Sequence, residues 1–169
     1  MEKEKTVCFT GHRVIPQKTR PALLSELYST VMHLILEGYD SFICGGAVGF
    51  DTMAAECVLS MKDRYPEIKL ILALPCRDQT VKWDDLGDLT KYKEILGKAD
   101  MVEYIQPFYS QGCMHKRNRW MVDNSAVCVA YLTSQRGGTV YTCNYANKCN
   151  VVLINLGEKT AETAQMTFA

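Results

Sequence analysis

The chain predicts an α/β fold: a mainly parallel sheet of about six strands with helices on both faces. Short apolar runs rich in β-branched residues recur at 6–9, 41–44, 68–74, 101–105, 126–132 and 151–154. Helical apolar spacing or turn residues separate them. Strict alternation of strand and helix favours parallel pairing, because each right-handed crossover returns the chain through a helix. A length of 169 residues suits one domain with a sizeable core. That domain is set at 1–157, and the Thr- and Ala-rich end, 158–169, is expected to fray.

The elements follow in order. After the first strand, Leu23, Leu24, Leu27, Val31, Leu34 and Ile35 recur at helical spacing, with Pro21 suited to the first turn and Gly38 to the C-terminal cap. The second strand leads into a helix that carries Ala54, Cys57, Val58 and Met61 on one face and stops before Pro66. A third helix spans about 86–97, with Leu89, Tyr92, Ile95 and Leu96. A fourth spans about 114–123 and a fifth about 139–148.

Composition excludes several classes. Lys plus Arg and Asp plus Glu both number 19, so no global field draws the chain to nucleic acid or an anionic membrane. A nucleic-acid partner is therefore disfavoured unless a local patch supplies the charge. The eight cysteines form no CxxC pair and several lie in apolar runs, which reads as buried thiols. The charged start, Met1 to Lys5, lacks a signal-peptide core, and no apolar run reaches membrane-spanning length. A cytoplasmic protein with no membrane partner is expected. Three scattered histidines and unclustered cysteines offer no metal-ligand spacing, so neither metal nor cofactor is expected.

In parallel sheets ligands collect beyond the carboxyl ends of the strands, which selects the loops 10–18, 45–51, 75–83, 106–116 and 133–139. The most informative runs from Ile43 to Asp51, where Gly45, Gly46 and Gly49 end a strand and open a helix. Such a loop presents unpaired N–H groups and a positive helix end to an anion, with Asp51 a natural N-cap. The alternative is a tight turn with no ligand. Thr10-Gly11-His12-Arg13 follows the first strand, and Arg13 is a possible bidentate phosphate clamp. Gly137, Gly138 and Thr139 form a second candidate cradle at the fifth helix.

The fourth helix reads Met114 to Asp123 and holds a local basic cluster at 115–119. There Lys116, Arg119 and Asp123 read as a solvated face, whereas Arg117 or Asn118 could turn toward the strand ends. Trp83 and Tyr92 are candidates for stacking on a base or, alternatively, packing anchors.

Together these residues resemble the SLOG superfamily, which includes the DNA-processing Smf/DprA proteins and the Lonely-Guy phosphoribohydrolases, and within it the YpsA-like branch. The carriers are TGHR at 10–13, GGAVGFDTMAAE at 45–56, RNRWMVDNSA at 117–126 and RGGTVYTCNYA at 136–146. The resemblance implies a Rossmann-like fold whose glycine loops hold a nucleotide or nucleotide-derived ligand. It also marks a departure. The Lonely-Guy signature PGGxGTxxE supplies a glutamate for N-glycosidic cleavage, and the corresponding RGGTVYT lacks it. The same run is similar to the GTxxExGYA-like run of nucleoside deoxyribosyltransferases, a resemblance that sets Thr142 where that family carries a nucleophilic glutamate. A threonine without an adjacent base is a poor substitute at an oxocarbenium-like centre.

The leading expectation is therefore a binding protein, sensor or regulatory module, for a nucleotide or ADP-ribose-like small molecule. The enzymatic alternative is nucleoside-monophosphate cleavage, with Glu56 or Asp51 as acid or base and Arg13 on the phosphate. A third reading is single-stranded DNA binding through 115–119 and Arg136. A protein partner and a homo-oligomer both remain open.

Overall fold

A computed structural model describes residues 1–158. Of the tail expected at 158–169, Glu158 lies in a helical turn and the remainder lies outside the described residues. Six strands form one sheet: β1 (Thr6–Gly11), β2 (Ser41–Cys44), β3 (Lys69–Leu74), β4 (Met101–Tyr104), β5 (Val127–Tyr131) and β6 (Val152–Asn155). They alternate with α1 (Arg20–Leu36), α2 (Phe50–Met61), α3 (Leu86–Lys98), α4 (Cys113–Asp123) and α5 (Gly138–Lys148). The strand order is β4-β3-β2-β1-β5-β6, and every pairing is parallel.

The register places Cys8 of β1 opposite Ile43 of β2 and Cys128 of β5. Because successive side chains point to opposite faces, β1 feeds two cores. Val7 and Phe9 pack with α1, α2 and Ile95 of α3, whereas Cys8 packs with Met121 and Val122 of α4 and Ala146 of α5. All eight cysteines are free, and seven are buried. Among the described residues no helix is long and apolar enough to cross a membrane.

Local chemistry explains the helix ends. Pro21 lies in the first turn of α1 and Gly38 follows its end at φ 97°, with the Gly38 and Tyr39 amides donating to Ile35 and Leu34. At α3 the Asp85 carboxylate accepts from the Asp88 amide at 2.9 Å. Two expectations need correction. The N-cap of α2 is Gly49 at φ 83°, with Asp51 inside the first turn. Leu24, expected among the core-facing residues of α1, is exposed.

From β1 the chain proceeds to β2, β3 and β4 on one side, then crosses to β5 and β6 on the other. The loops leaving β1 and β5 therefore diverge, and a crevice opens at their carboxyl ends.

Candidate functional site

A cleft of about 330 Å³ occupies that switch point. Its walls come from Phe9 to Arg13 at the end of β1, Ala47 and Asp51 of the glycine loop, Met114, Arg117, Asn118 and Met121 of α4, and Gly138, Thr139 and Thr142 of α5.

The β1 exit is fixed by backbone contacts. A Cβ on Gly11 would lie 2.4 Å from the ring of Phe50, so its absence lets α2 pack against the strand end. The His12 carbonyl accepts from the Phe50 amide at 3.1 Å, and its Nε2 accepts from the Thr133 amide at 3.0 Å. His12 thus straps the β1 loop to the β5 loop across the switch point. Gly49 backs onto Arg13, whose carbonyl oxygen would stand 2.2 Å from an added Cβ. The Arg13 side chain is exposed at the rim and makes no ion pair among the described residues.

The 45–51 loop is engaged from within. Asp51 is buried, and its carboxylate accepts from the Ala47 amide at 3.3 Å and from the backbone at Gly45. Arg117, also buried, reaches over from α4 and donates through Nη1 to the Gly45 carbonyl. The same Nη1 stands 4.0 Å from Asp51 Oδ2, a charge pairing without a hydrogen bond. Gln79 donates to the Gly46 carbonyl at 2.6 Å, and Thr52 to that of Ala47 at 3.0 Å. Part of the loop's donor capacity thus goes to the chain's own carboxylate, the role the sequence suggested for a ligand's phosphate.

Burial dominates the electrostatics of this pair. It raises the Asp51 pKa above the usual carboxylate value, with Arg117 and the Ala47 and Gly45 backbone opposing. Burial likewise lowers the Arg117 pKa, with Asp51 opposing. Two desolvated charges at this separation depend on each other, and loss of either strands its partner.

A polar chain runs from this floor to α5. Arg117 Nε donates to Asn118 Oδ1 at 2.7 Å, Asn118 Nδ2 to Thr142 Oγ1 at 2.8 Å, and Thr142 Oγ1 to the Gly138 carbonyl at 2.9 Å. Thr142 is thus a link between α4 and the first turn of α5. That turn is open: Gly137 caps it at φ 103°, and among the described residues a Cβ on Gly137 or Gly138 would meet nothing within 4 Å. Among the described residues the Gly138 and Thr139 amides have no protein acceptor. Unsatisfied first-turn amides at a positive helix end suit an anion.

The structure thus brings Thr10, Gly11, His12, Arg13, Asp51, Arg117, Asn118, Gly138 and Thr139 to one cleft, while Gly45, Gly46, Gly49 and Gly137 act through the backbone outside its lining. Glu56, a candidate acid or base, lies on the outer face of α2 and pairs with Lys91 at 3.3 Å. It does not line the cleft, where Asp51 is the sole carboxylate among the described residues. Trp83 and Tyr92 also lie outside its lining and pack edge to face, with centroids 5.4 Å apart. Tyr92 abuts Gly46, and burial, ahead of nearby Tyr104 and Cys76, pushes its hydroxyl up to about 12. On α4, Lys116 and Arg119 are exposed, and Arg119 donates to the Tyr141 hydroxyl.

Sequence reading missed Met114 and Met121, the apolar part of the α4 wall. Their signal was present: 114, 117, 118 and 121 follow the i, i+3, i+4, i+7 spacing of one helical face.

A wholly parallel, doubly covered sheet with a crevice at its switch point defines a Rossmann-like α/β domain. The chain belongs to the YspA SLOG family, the YpsA branch: the family's sequence model matches residues 17–152, starting just past the Thr10–Arg13 loop. It is 32% identical over 139 residues to the uncharacterized SPbeta prophage-derived protein YoqJ of Bacillus subtilis, covering 75% of this chain and 81% of that protein. A UPF0398 protein of Halalkalibacterium halodurans is 30% identical over 121 residues, or 70% of this chain and 64% of the relative. The fold is similar to DNA processing protein A of Streptococcus pneumoniae, with TM-score 0.64 and 17% identity over 89% of this chain and 50% of that one. DNA processing protein A of Helicobacter pylori, whose structure concerns single-stranded DNA binding, gives TM-score 0.61 and 18% identity over 95% and 73%.

Proposed function

We propose that this domain binds a small phosphorylated ligand, a nucleotide or an ADP-ribose-like molecule, in the switch-point cleft and serves as a sensor or regulatory module. The observation that carries this reading is the open first turn of α5 lining the same cleft as Arg13, which makes no ion pair among the described residues. Together they offer amides, the Thr139 hydroxyl and a guanidinium to one phosphate. Met114 and Met121 supply an apolar wall for the rest of the molecule. Binding is favoured over cleavage because Asp51, the one carboxylate lining the cleft among the described residues, is already engaged by backbone donors and paired with Arg117. A reducing, cytoplasmic setting belongs to this reading and is supported by eight cysteines without a disulfide.

The test is a thermal-shift panel of nucleoside mono- and diphosphates, ADP-ribose and inorganic phosphate, with chromatography of each mixture. At a hundredfold excess over Kd, linkage stabilises the fold by about 2.7 kcal/mol, a rise of roughly 5–10 °C. Arg13→Ala and Thr139→Val abolish the rise while leaving the unliganded melting temperature near its original value. No shift with any nucleotide at millimolar concentration overturns the reading, and release of free base replaces it with the hydrolase. Salt-dependent binding of an oligonucleotide, in line with the likeness to DNA processing protein A, replaces it with the single-stranded DNA reading.

A further inference from the structure

The hydrogen bonds around Asn118 fix which way its amide faces. Arg117 Nε can only donate, so the Asn118 atom 2.7 Å away from it is Oδ1. The amide nitrogen then lies on the Thr142 side, 2.8 Å from Oγ1, and Thr142 commits its own proton to the Gly138 carbonyl at 2.9 Å. Every bond in this chain runs donor to acceptor, outward from the buried Arg117. One amide hydrogen of Asn118 goes to Thr142, and the other has no acceptor among the described residues.

The rest of the cleft follows the same rule. Apart from two hydroxyls, its side-chain nitrogen and oxygen acceptors are His12 Nε2, Asp51, Asn118 Oδ1 and Thr142 Oγ1. Each already accepts from the chain: His12 from the Thr133 amide, Asp51 from the Ala47 amide, Asn118 from Arg117 and Thr142 from Asn118. The groups left over donate. They are the second Asn118 hydrogen, the Gly138 and Thr139 amides, the Arg13 guanidinium and His12 Nδ1, which carries the proton of the neutral ring because Nε2 accepts. The Thr10 and Thr139 hydroxyls serve in either sense and turn their protons toward an anion.

We infer that the cleft takes its ligand's terminal phosphate in the fully ionised form and rejects one that bears a proton, with the amide of Asn118 as the residue that sets the preference. This rests on the phosphorylated-ligand reading above. A bare phosphate oxygen completes a bond with each donor. A P–OH instead brings its hydrogen against N–H groups, with no free carboxylate or ring nitrogen to receive it.

Titration calorimetry of AMP, adenosine 5′-sulfate and ADP-ribose between pH 8 and pH 5 tests this. The second ionisation of a phosphate monoester lies near pH 6, so AMP binds about tenfold more weakly at pH 5 than at pH 8. The charged groups lining the cleft are Arg13 and His12 from the β1 loop, Asp51 from α2 and Arg117 from α4, and α5 contributes none. Their titration acts on both esters alike, so the comparison is between esters. At pH 5 both carry one negative charge, and the sulfate, which has no proton, binds at least about fivefold tighter. Asn118→Asp exchanges the donor for an acceptor at constant size and keeps the bond from Arg117. It reverses the order at pH 5, since its carboxylate repels both esters equally and receives the P–OH of AMP alone. Circular dichroism verifies that the variant folds, and the parent's ratio decides the matter if it does not. Parity of the two esters at pH 5 in the parent, or an order unchanged in a folded variant, overturns the inference. Binding of ADP-ribose but of neither ester also overturns it and leaves the underlying reading standing, whereas a parent that binds none of the three overturns both.

Discussion

Gly45→Ala tests the floor of the cleft directly. Gly45 lies outside the left-handed region of the backbone, so alanine brings no conformational strain of its own. Its Cβ would nevertheless stand 2.0 Å from Arg117 Nη1 and 2.6 Å from Asp51 Oδ2. The guanidinium has to leave the Gly45 carbonyl and the Asp51 carboxylate together. Overpacking alone costs about 1–3 kcal/mol, and separating a buried ion pair about 3–5 kcal/mol. Partial relaxation brings the expected loss to about 3 kcal/mol, or roughly 6–12 °C in Tm for a chain of this length. Urea unfolding measures it through the midpoint at constant slope. Gly138→Ala is the matched control, since its Cβ meets nothing within 4 Å among the described residues. It leaves stability unchanged or slightly higher but weakens any ligand seated on the α5 amides. A loss below about 1 kcal/mol for Gly45→Ala would refute the account of Arg117 as the buried brace of the loop.

The bridge from Lys62 to Asp100 gives a pH prediction. Burial alone would raise the Asp100 pKa, but hydrogen bonds from Lys62 at 2.5 and 2.6 Å and from the Leu70 amide at 2.7 Å hold it below 3.8. The resulting stabilisation is complete above the unfolded value and fades as pH falls through the lowered folded value. Asp100→Asn therefore lowers Tm at pH 7, and its gap from the parent narrows below about pH 4 in scanning calorimetry. Glu56→Gln breaks an exposed pair with Lys91 and leaves both stability and ligand shift within about 0.5 kcal/mol of the parent. A lost ligand shift in that variant would return Glu56 to the site.

Strand and helix positions were legible because burial imprints its period on the chain, and switch-point loops could be chosen from alternation alone. Arg13, Gly138 and Thr139 came to the cleft because strand-end loops share an edge of the sheet. What local pattern could not show was long-range pairing. The partner of Gly45 is Arg117, 72 residues away, and nothing in the spacing of either announces the other. Asp51 looked like a helix cap because acids do cap helices, but the backbone turn at Gly49 takes that place and turns the carboxylate inward. Aromatic character alone left Trp83 and Tyr92 open either to stacking on a base or to packing, and in the fold the two rings pack against each other.

The brace across Gly45, Asp51 and Arg117 also constrains how sequences of this family diverge. The space a side chain at 45 would fill is taken by the arginine, and the arginine's charge is tolerable only beside the aspartate. These positions should therefore drift as a unit. A relative bearing a bulkier residue at the first should have surrendered the arginine, and one that has lost the arginine is released from glycine. Reading these three columns across relatives shows whether a lineage keeps or has rebuilt the floor of the cleft, before any ligand is known.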